Sequence, residues 1–455
     1  MLIEPIPWCD PSEYFARFAN DPWVAWLDSG GPAGAPRGRF SYLCADPAEI
    51  LVANAGEQPF DQLEALLARH TRPAAAGPLP FQGGAVGFLG YELAAALERL
   101  DFRHPDDIGL PDLAIGIYDL LIGFDREAQK AWLIAPDNGE RTRRWRACLI
   151  APPAALLPPP PIRWCPEISR QQYIDGVEKV RDYIRAGDVF EANFTARYLA
   201  ARPPALDPAA LYLALRAASS NPFGAYLSLG DGMALCSASP ENFIRLSADG
   251  RIESRPIKGT RRRDADPAID AALAAELAAS EKDRAENLMI VDLMRHDLGR
   301  VATIGSVRVP ELFEVEHFHS VHHLVSAVTA QLKPGLGAVD LLRAVFPGGS
   351  VTGAPKLRAI EIIEELEAGR RGAYCGSVVW IGFNGAMDSS IIIRSLAVGK
   401  HTIAAQAGGA ILAESNPNEE YEEMLVKIAP LLAGAEAPSL QQRQDFLAQE
   451  IDFQS

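Results

Sequence analysis

Between Ala151 and Trp164 the chain reads "APPAALLPPPPIRW", with six prolines in close succession. Proline fixes φ, lacks an amide donor and clashes with the preceding helical turn, so this stretch can form neither a helix interior nor a central strand. It divides the sequence into an N-terminal lobe at 1–150, a linker at 151–165, a second region at 166–432 and a tail at 433–455. With 455 residues, 48% of them hydrophobic, the chain can bury a large core and exceeds the usual size of one compact unit.

Ahead of the prolines, short apolar runs such as "WVAWLDSG" and "AIGIYDLLIGFD" lie between Gly, Pro and Asp turns. They predict mostly strands with a few helices. Beyond the prolines, Tyr173, Val177, Val180 and Ile184 recur at helical spacing, with Ser169 as N-cap and Gly187 as the stop. A strand, "VFEANFTARYL", follows.

A net charge of −16 and a pI near 5.0 argue against a general binder of nucleic acid or anionic membranes, since both surfaces are negative. The start "MLIEPIPWCDPSEYF" has no signal-peptide pattern, and no apolar run approaches the roughly 20 residues of a membrane helix. A cytoplasmic protein is the expectation. The six cysteines are scattered without a CxxC pair or metal-ligand spacing, which predicts small buried residues in a reducing compartment.

The segment "MALCSASPENFIRLSADGRIESRPIKGT" holds two strand-like runs flanking Asp249-Gly250. A two-residue Asp-Gly turn predicts a hairpin in which Ala248 faces Arg251 and Glu241 faces Lys258, their Cβ atoms about 5 Å apart. Pro240 and Pro256 loosen the open end, where the register can slip by one. Taken alone, such a carboxylate and amine form an ordinary surface ion pair. Three further segments bear on that reading. In "ASEKDRAENLMIVDLMRHDLGRV", Glu286 joins Ile290, Leu293 and Asp297 on one helical stripe. In "FPGGSVTGAPKLRAIEIIEELE", glycines lead into a helix starting near Pro355. Ala354 replaces the lysine of a phosphate loop and excludes a nucleoside triphosphate, while Lys356 in the first turn suits a small anion such as a carboxylate. In "GGAILAESNPNEEYEEMLVKIAPLL", Asn416, Pro417 and Glu419 start a helix as cap, first residue and capping-box acid. Glu420, Glu423 and Lys427 then share a face. Paired carboxylates without an intrahelical task suit a hard divalent cation such as Mg²⁺, or form a plain acidic face.

Together with "GRFSYLCADP", "GGAVGFLGYE", "YCGSVVWIGF" and "MDSSIIIRS", these segments resemble, in fixed order over nearly the whole chain, the chorismate-utilising enzymes. Among them the aminodeoxychorismate synthases are most similar, with a first lobe like that of anthranilate synthases. The resemblance implies an α/β fold of two large, mainly antiparallel sheets packed in a layered sandwich with helices outside. It implies chorismate as substrate and Mg²⁺ as cofactor, with Glu286 and Glu423 on the metal and Glu420 alongside. Arg394, Gly408 and Gly409 match positions that hold the enolpyruvyl carboxylate. His323, Ser350, Thr352, Tyr374 and Lys427 match other substrate-binding positions.

The family's aminodeoxychorismate synthases carry "PIKGT", as here, where its anthranilate synthases resemble "PIAGT". By that resemblance Lys258 adds to C2 of chorismate while Glu241, the acid of "SPE", protonates the departing 4-hydroxyl. Ammonia then adds at C4 and expels the lysine. Burial and a nearby metal are expected to lower the lysine's pKa so that it attacks as the amine. This chain departs from the family pattern at Glu191, where glutamine is usual, and at Ala410, where a third glycine is usual. None of the cysteines sits in a glutaminase-like G-x-C-x-G elbow, so ammonia is expected from a separate glutaminase subunit, and the product is expected to stop at 4-amino-4-deoxychorismate. "LDSG", Leu27 to Gly30, resembles a segment that binds tryptophan in relatives. Anthranilate or isochorismate synthesis, and a silent subunit that regulates a glutaminase, are the alternatives.

Overall fold

The computed structural model describes residues 1–30, 38–72, 77–219, 221–318 and 321–433; the expected tail lies, apart from its first residue, outside them. Every strand pairing is antiparallel, in a twelve-stranded and a ten-stranded sheet. The larger sheet runs from Leu2–Ile6 at one edge to Gly353–Ala354 at the other, and the smaller from Ile257–Arg262 to Glu49–Ala53. Strands from both sides of the proline-rich segment enter each sheet. Ala25–Asp28 pairs with Phe223–Gly230 in one, and Gly84–Leu89 with Ser377–Gly382 in the other.

The sheets face each other across an apolar layer. Leu121, Ile134, Leu227 and Leu235 of the larger pack with Val86, Phe88, Ala114 and Val378 of the smaller. Helices cover the outer faces, because alternation leaves each sheet a second apolar side that water would otherwise meet. Tyr173, Val177, Met424 and Ile428 close over Phe194 and Ala196 on the larger sheet. Val291, Met294, Leu298 and Leu342 close over Ile244, Ile252 and Val328 on the smaller. The layered two-sheet architecture is therefore the observed one. Among the described residues no helix is long and apolar enough to cross a membrane.

Local signals hold where the chain satisfies its own polar groups. Ser169 caps Arg170–Ala186 by accepting from Gln172 N, and Gly187 ends that helix at φ 85°. The linker residues before Cys165 form no helix or strand. The Asp-Gly hairpin differs from expectation. Leu246 pairs with Ile252, and Ser247 N donates to Arg251 O at 2.9 Å, which leaves Ala248, Asp249 and Gly250 as a three-residue loop. Ser247 Oγ and Arg251 N both reach Asp249 Oδ1 and favour the longer turn; Gly250 takes φ 82°. The register is thus shifted by one, and Glu241 is not the cross-strand partner of Lys258. Pro355 is the N-cap of Lys356–Leu366 rather than its first residue.

Glu191–Ala201, which leads from the active-site end of the larger sheet, pairs with Thr402–Ile411 in a register that sets Thr195 opposite Gly408. A Cβ on Gly408 would sit 2.1 Å from Phe194 O. Gly408→Ala should therefore destabilise the fold by about 1–3 kcal/mol through overpacking against backbone, measured by urea denaturation.

Candidate active site

Lys258 lies where the edge strand Ile257–Arg262 is bulged. Ile257 pairs with Val325 but Thr260 with His323, so one residue is extra, and Gly259 absorbs it at φ 78°. Bulges re-aim side chains; here the result is a lysine only 8% exposed. A Cβ on Gly259 would fall 2.8 Å from the Asp283 carboxyl carbon, so both backbone and space require glycine. Lys258 Nζ donates to Glu286 Oε1 at 2.6 Å and to Glu191 Oε1 at 3.2 Å. Glu286 comes from the helix Glu281–Val301 on the smaller sheet, and Glu191 from the first residue of a strand in the larger one. The amine therefore ties the two sheets together.

Glu191 is wholly buried, and its Oε2 has no hydrogen-bond partner. Burial first, then the Glu286 charge, push its pKa up against the pull of Lys258. For Lys258 burial acts downward but is outweighed by Glu191, Glu286 and the bond to Glu286, so its pKa rises. Two carboxylates against one ammonium leave excess negative charge, and such a site holds its protons. In the chain without a metal the two carboxylates thus outweigh the lowering effect of burial.

Glu241 sits at the crossing from Met233–Ser239 of the larger sheet to Asn242–Leu246 of the smaller. Burial pushes its carboxyl to about 7, opposed by hydrogen bonds from Ser350 and the Ile257 backbone and by the Lys258 charge. A carboxyl half protonated at neutral pH is suited to general acid work. The one-residue register shift brings Ile257, rather than Lys258, to it.

A second group gathers on Pro417–Ala433, where Asn416 Oδ1 accepts from Asn418 N. Glu420 Oε1 accepts from Ser415 Oγ at 2.7 Å, and Lys427 Nζ reaches Glu423 Oε1 at 2.7 Å and Gly408 O at 2.9 Å. Burial, then the Glu423 charge, raise the Glu420 pKa against the Ser415 bond. In Glu423, with 58% of its side chain exposed, burial is outweighed by Lys427, Lys282 and Lys258, and the pKa falls. A Cβ on Gly409 would lie 3.3 Å from Lys427 Nζ and 3.4 Å from Glu420 Oε2. Arg394, at φ 53°, donates to Lys427 O at 3.3 Å, and burial lowers its pKa. No salt bridge to a carboxylate occupies this guanidinium among the described residues, which leaves its fork to an anion. His323 Nδ1 is 2.9 Å from Thr260 Oγ1, and burial, with Arg394 adding to it, pushes its pKa down to about 4. At neutral pH it is an uncharged imidazole.

Other expected groups have structural tasks. Thr352 is wholly buried and donates its hydroxyl to Gly348 O at 3.0 Å, which holds the glycine turn. The Tyr374 phenol lies close enough to Arg394 to act on its charge, and burial raises its own pKa. Lys356 does not await an anion, because its Nζ is spent on Asp297 Oδ2 at 2.6 Å and Val345 O at 2.8 Å. Of the arginines that follow Thr260, Arg261 pairs with Glu276 and Asp283, and Arg263 with Asp270. Leu27, Asp28 and Ser29 of "LDSG" line a cavity of about 530 Å³ with Tyr42, Arg245 and Trp380, where Asp28 is paired with Arg216. Sequence reasoning missed Lys282, whose charge acts on Glu420 and Glu423. It also missed Glu191 as the partner of Lys258. A carboxylate heading the apolar run "VFEANF" was the available signal.

Among the described residues no ready-made cluster of three or more metal-ligating side chains appears. The carboxylates still suit a hard cation. Glu420 and Glu423 repel one another, Glu286 faces the same ammonium whose field reaches Glu423, and oxygen donors of this kind are what Mg²⁺ takes.

The profile of the chorismate binding enzyme family matches residues 26–433, and the chain belongs to that family. It is thus an enzyme that acts on chorismate. Aminodeoxychorismate synthase component 1 of Salmonella typhimurium is 43% identical over 94% of this chain and 96% of its own, and that of Escherichia coli is 43% identical over 92% and 94%. Anthranilate synthase component 1 of Thermus thermophilus is 42% identical over 83% of each chain. Anthranilate synthase component I of Streptococcus pneumoniae superposes with a TM-score of 0.77 at 31% identity, covering 87% of this chain and 92% of its own. The fold also recurs in the menaquinone-specific isochorismate synthase of Escherichia coli, with a TM-score of 0.74 at 18% identity over 96% of this chain and 94% of that one.

The Glu241 carboxyl has a testable thermodynamic consequence. A folded-state pKa near 7 against an ordinary 4.5 means that the folded state binds this proton more tightly. That stabilisation is complete below pH 4.5 and is lost as pH rises through 7. Over the interval it amounts to about 3 kcal/mol. Glu241→Gln should be more stable than the parent at pH 8 and lose that advantage at pH 4.5, followed by urea denaturation at both values.

Proposed function

We propose that this chain is the aminating component of an aminodeoxychorismate synthase, converting chorismate and ammonia to 4-amino-4-deoxychorismate for para-aminobenzoate and folate synthesis. The observation that carries the reading is Lys258, buried in "PIKGT" between acidic groups at the meeting of the two sheets. An anthranilate-forming site needs no amine there. The relatives named aminodeoxychorismate synthase component 1, which align over nearly their whole length, support it.

The reaction balances on this chain's groups. Lys258 Nζ as the amine forms a bond to C2, the C1–C2 double bond moves to C1–C6 and the C5–C6 double bond to C4–C5, and the C4–O bond breaks. The Glu241 carboxyl gives its proton to the departing oxygen, which leaves as water. Ammonia then bonds to C4, both ring double bonds return to C5–C6 and C1–C2, and the C2–N bond breaks with its electrons going back to the lysine. The proton of the new C4 ammonium restores Glu241. Attack requires the amine, so the ammonium first gives up its proton to solvent, a loss that neutralising part of the carboxylate field around it favours. Arg394 and the amides near Gly408 and Gly409 would anchor the enolpyruvyl carboxylate, with His323 as an uncharged donor beside them.

Mg²⁺ is the proposed cofactor, held by Glu286 and Glu423 with Glu420 alongside, and when bound it supplies positive charge to the ring carboxylate. Ammonia is proposed to come from a separate glutaminase, the second component that the relatives' names imply.

Product mass with chorismate, Mg²⁺ and ammonium tests the assignment. A product with the 4-hydroxyl replaced by an amine and the enolpyruvyl group retained is expected, whereas anthranilate with pyruvate, isochorismate, or no turnover overturns it. Lys258→Ala should abolish amination or lower it by about a thousandfold or more while the melting transition is retained, with anthranilate the only new product. Unchanged amination would reject the nucleophile assignment. Glu423→Gln should raise the Mg²⁺ needed for half-maximal rate by about tenfold or more, seen also as weaker Mg²⁺ binding by calorimetry.

A further inference from the structure

Glu191 carries an electrostatic cost that the fold does not explain. It is 0% exposed, its Oε2 has no partner, and its Oε1 has one, the amine of Lys258 at 3.2 Å. A buried carboxylate with an unpaired oxygen is unfavourable, and an apolar side chain of equal size avoids the penalty. Its strand does not need the group either. The Glu191 backbone is placed by pairing with Ala354 and by the close approach of Gly353, whose added Cβ would lie 2.1 Å from Glu191 O. Nor does Lys258 need a second carboxylate for charge compensation, since Glu286 already holds it at 2.6 Å.

Direction is what Glu191 adds. Nζ is tethered from the smaller sheet by its own side chain and by Glu286, and among the described residues Glu191 alone holds it by a hydrogen bond from the larger sheet, which also carries Gly408 and Gly409 of the carboxylate-binding group. An amine on a flexible four-carbon stem has many rotamers, and restricting them towards the reacting carbon is a large part of what a nucleophile's surroundings contribute. We infer that Glu191 is a positioning residue, whose Oε1 fixes Lys258 Nζ relative to the larger sheet and so to the bound substrate. The inference rests on the amination reading above. It needs an acceptor oxygen at this place, which a glutamine also supplies.

The test compares Glu191→Leu with Glu191→Gln in the full chain, assayed with chorismate, Mg²⁺ and ammonium. The leucine variant leaves one ammonium facing one carboxylate and removes the unpaired oxygen, so its melting temperature should equal or exceed the parent's. Its kcat for amination should fall by about a hundredfold with the KM for chorismate within about twofold, because orientation rather than binding is lost. Glu191→Gln should recover most of that rate. If the leucine variant keeps the parental kcat, or loses rate only in step with stability or chorismate affinity, or if glutamine fails to recover it, the positioning role is rejected. If the parent itself yields no aminated product, it is the amination reading that fails.

Discussion

One ammonium against a buried and a partly buried carboxylate joins the halves of this molecule. Lys258 comes from the edge of the smaller sheet, Glu286 from the helix covering it, and Glu191 from the larger sheet. Each ion gives up water to be there, and such desolvation costs several kcal/mol per ion even after relaxation. Hydrophobic residues of the same volume would serve stability as well or better. The triad therefore reflects chemistry, and the apolar layer of Leu121, Phe88, Leu227 and Val378 supplies the cohesion that permits it.

The environment sorts the titratable groups into roles. Burial pushes Glu241 to about 7 and His323 to about 4, in opposite senses of charge, so that at neutral pH one can give a proton and the other stays uncharged. Excess carboxylate instead holds Lys258 as the ammonium.

Periodicity, caps and motif order made much of this legible. The helix Arg170–Ala186, the strand after it and the Glu286 stripe follow from patterns that local physics enforces, whereas the two-sheet class was implied by the family resemblance. What misled was whatever depends on a choice between near-equal local options or on distant partners. Asp249 selects a three-residue loop by accepting from Ser247 Oγ and Arg251 N, and the Glu241–Lys258 register moves by one. Lys356 reads as an anion ligand until Asp297, on another helix, is seen to hold it. The lysine's pKa could not be predicted from burial alone, because its sign is set by Glu191, far away in sequence.

The pairing of Glu191–Ala201 with Thr402–Ile411 governs when an active centre can exist. On a ribosome, the strand that bears Glu191 emerges long before its neighbour, and loops of that span close late and slowly. The Gly408 edge cannot take its place beside the strand that Glu191 begins until the last sheet strand has left the exit tunnel. Catalytic competence therefore arrives at the end of synthesis, and a nascent chain interrupted earlier carries all of "PIKGT" without a site in which to use it.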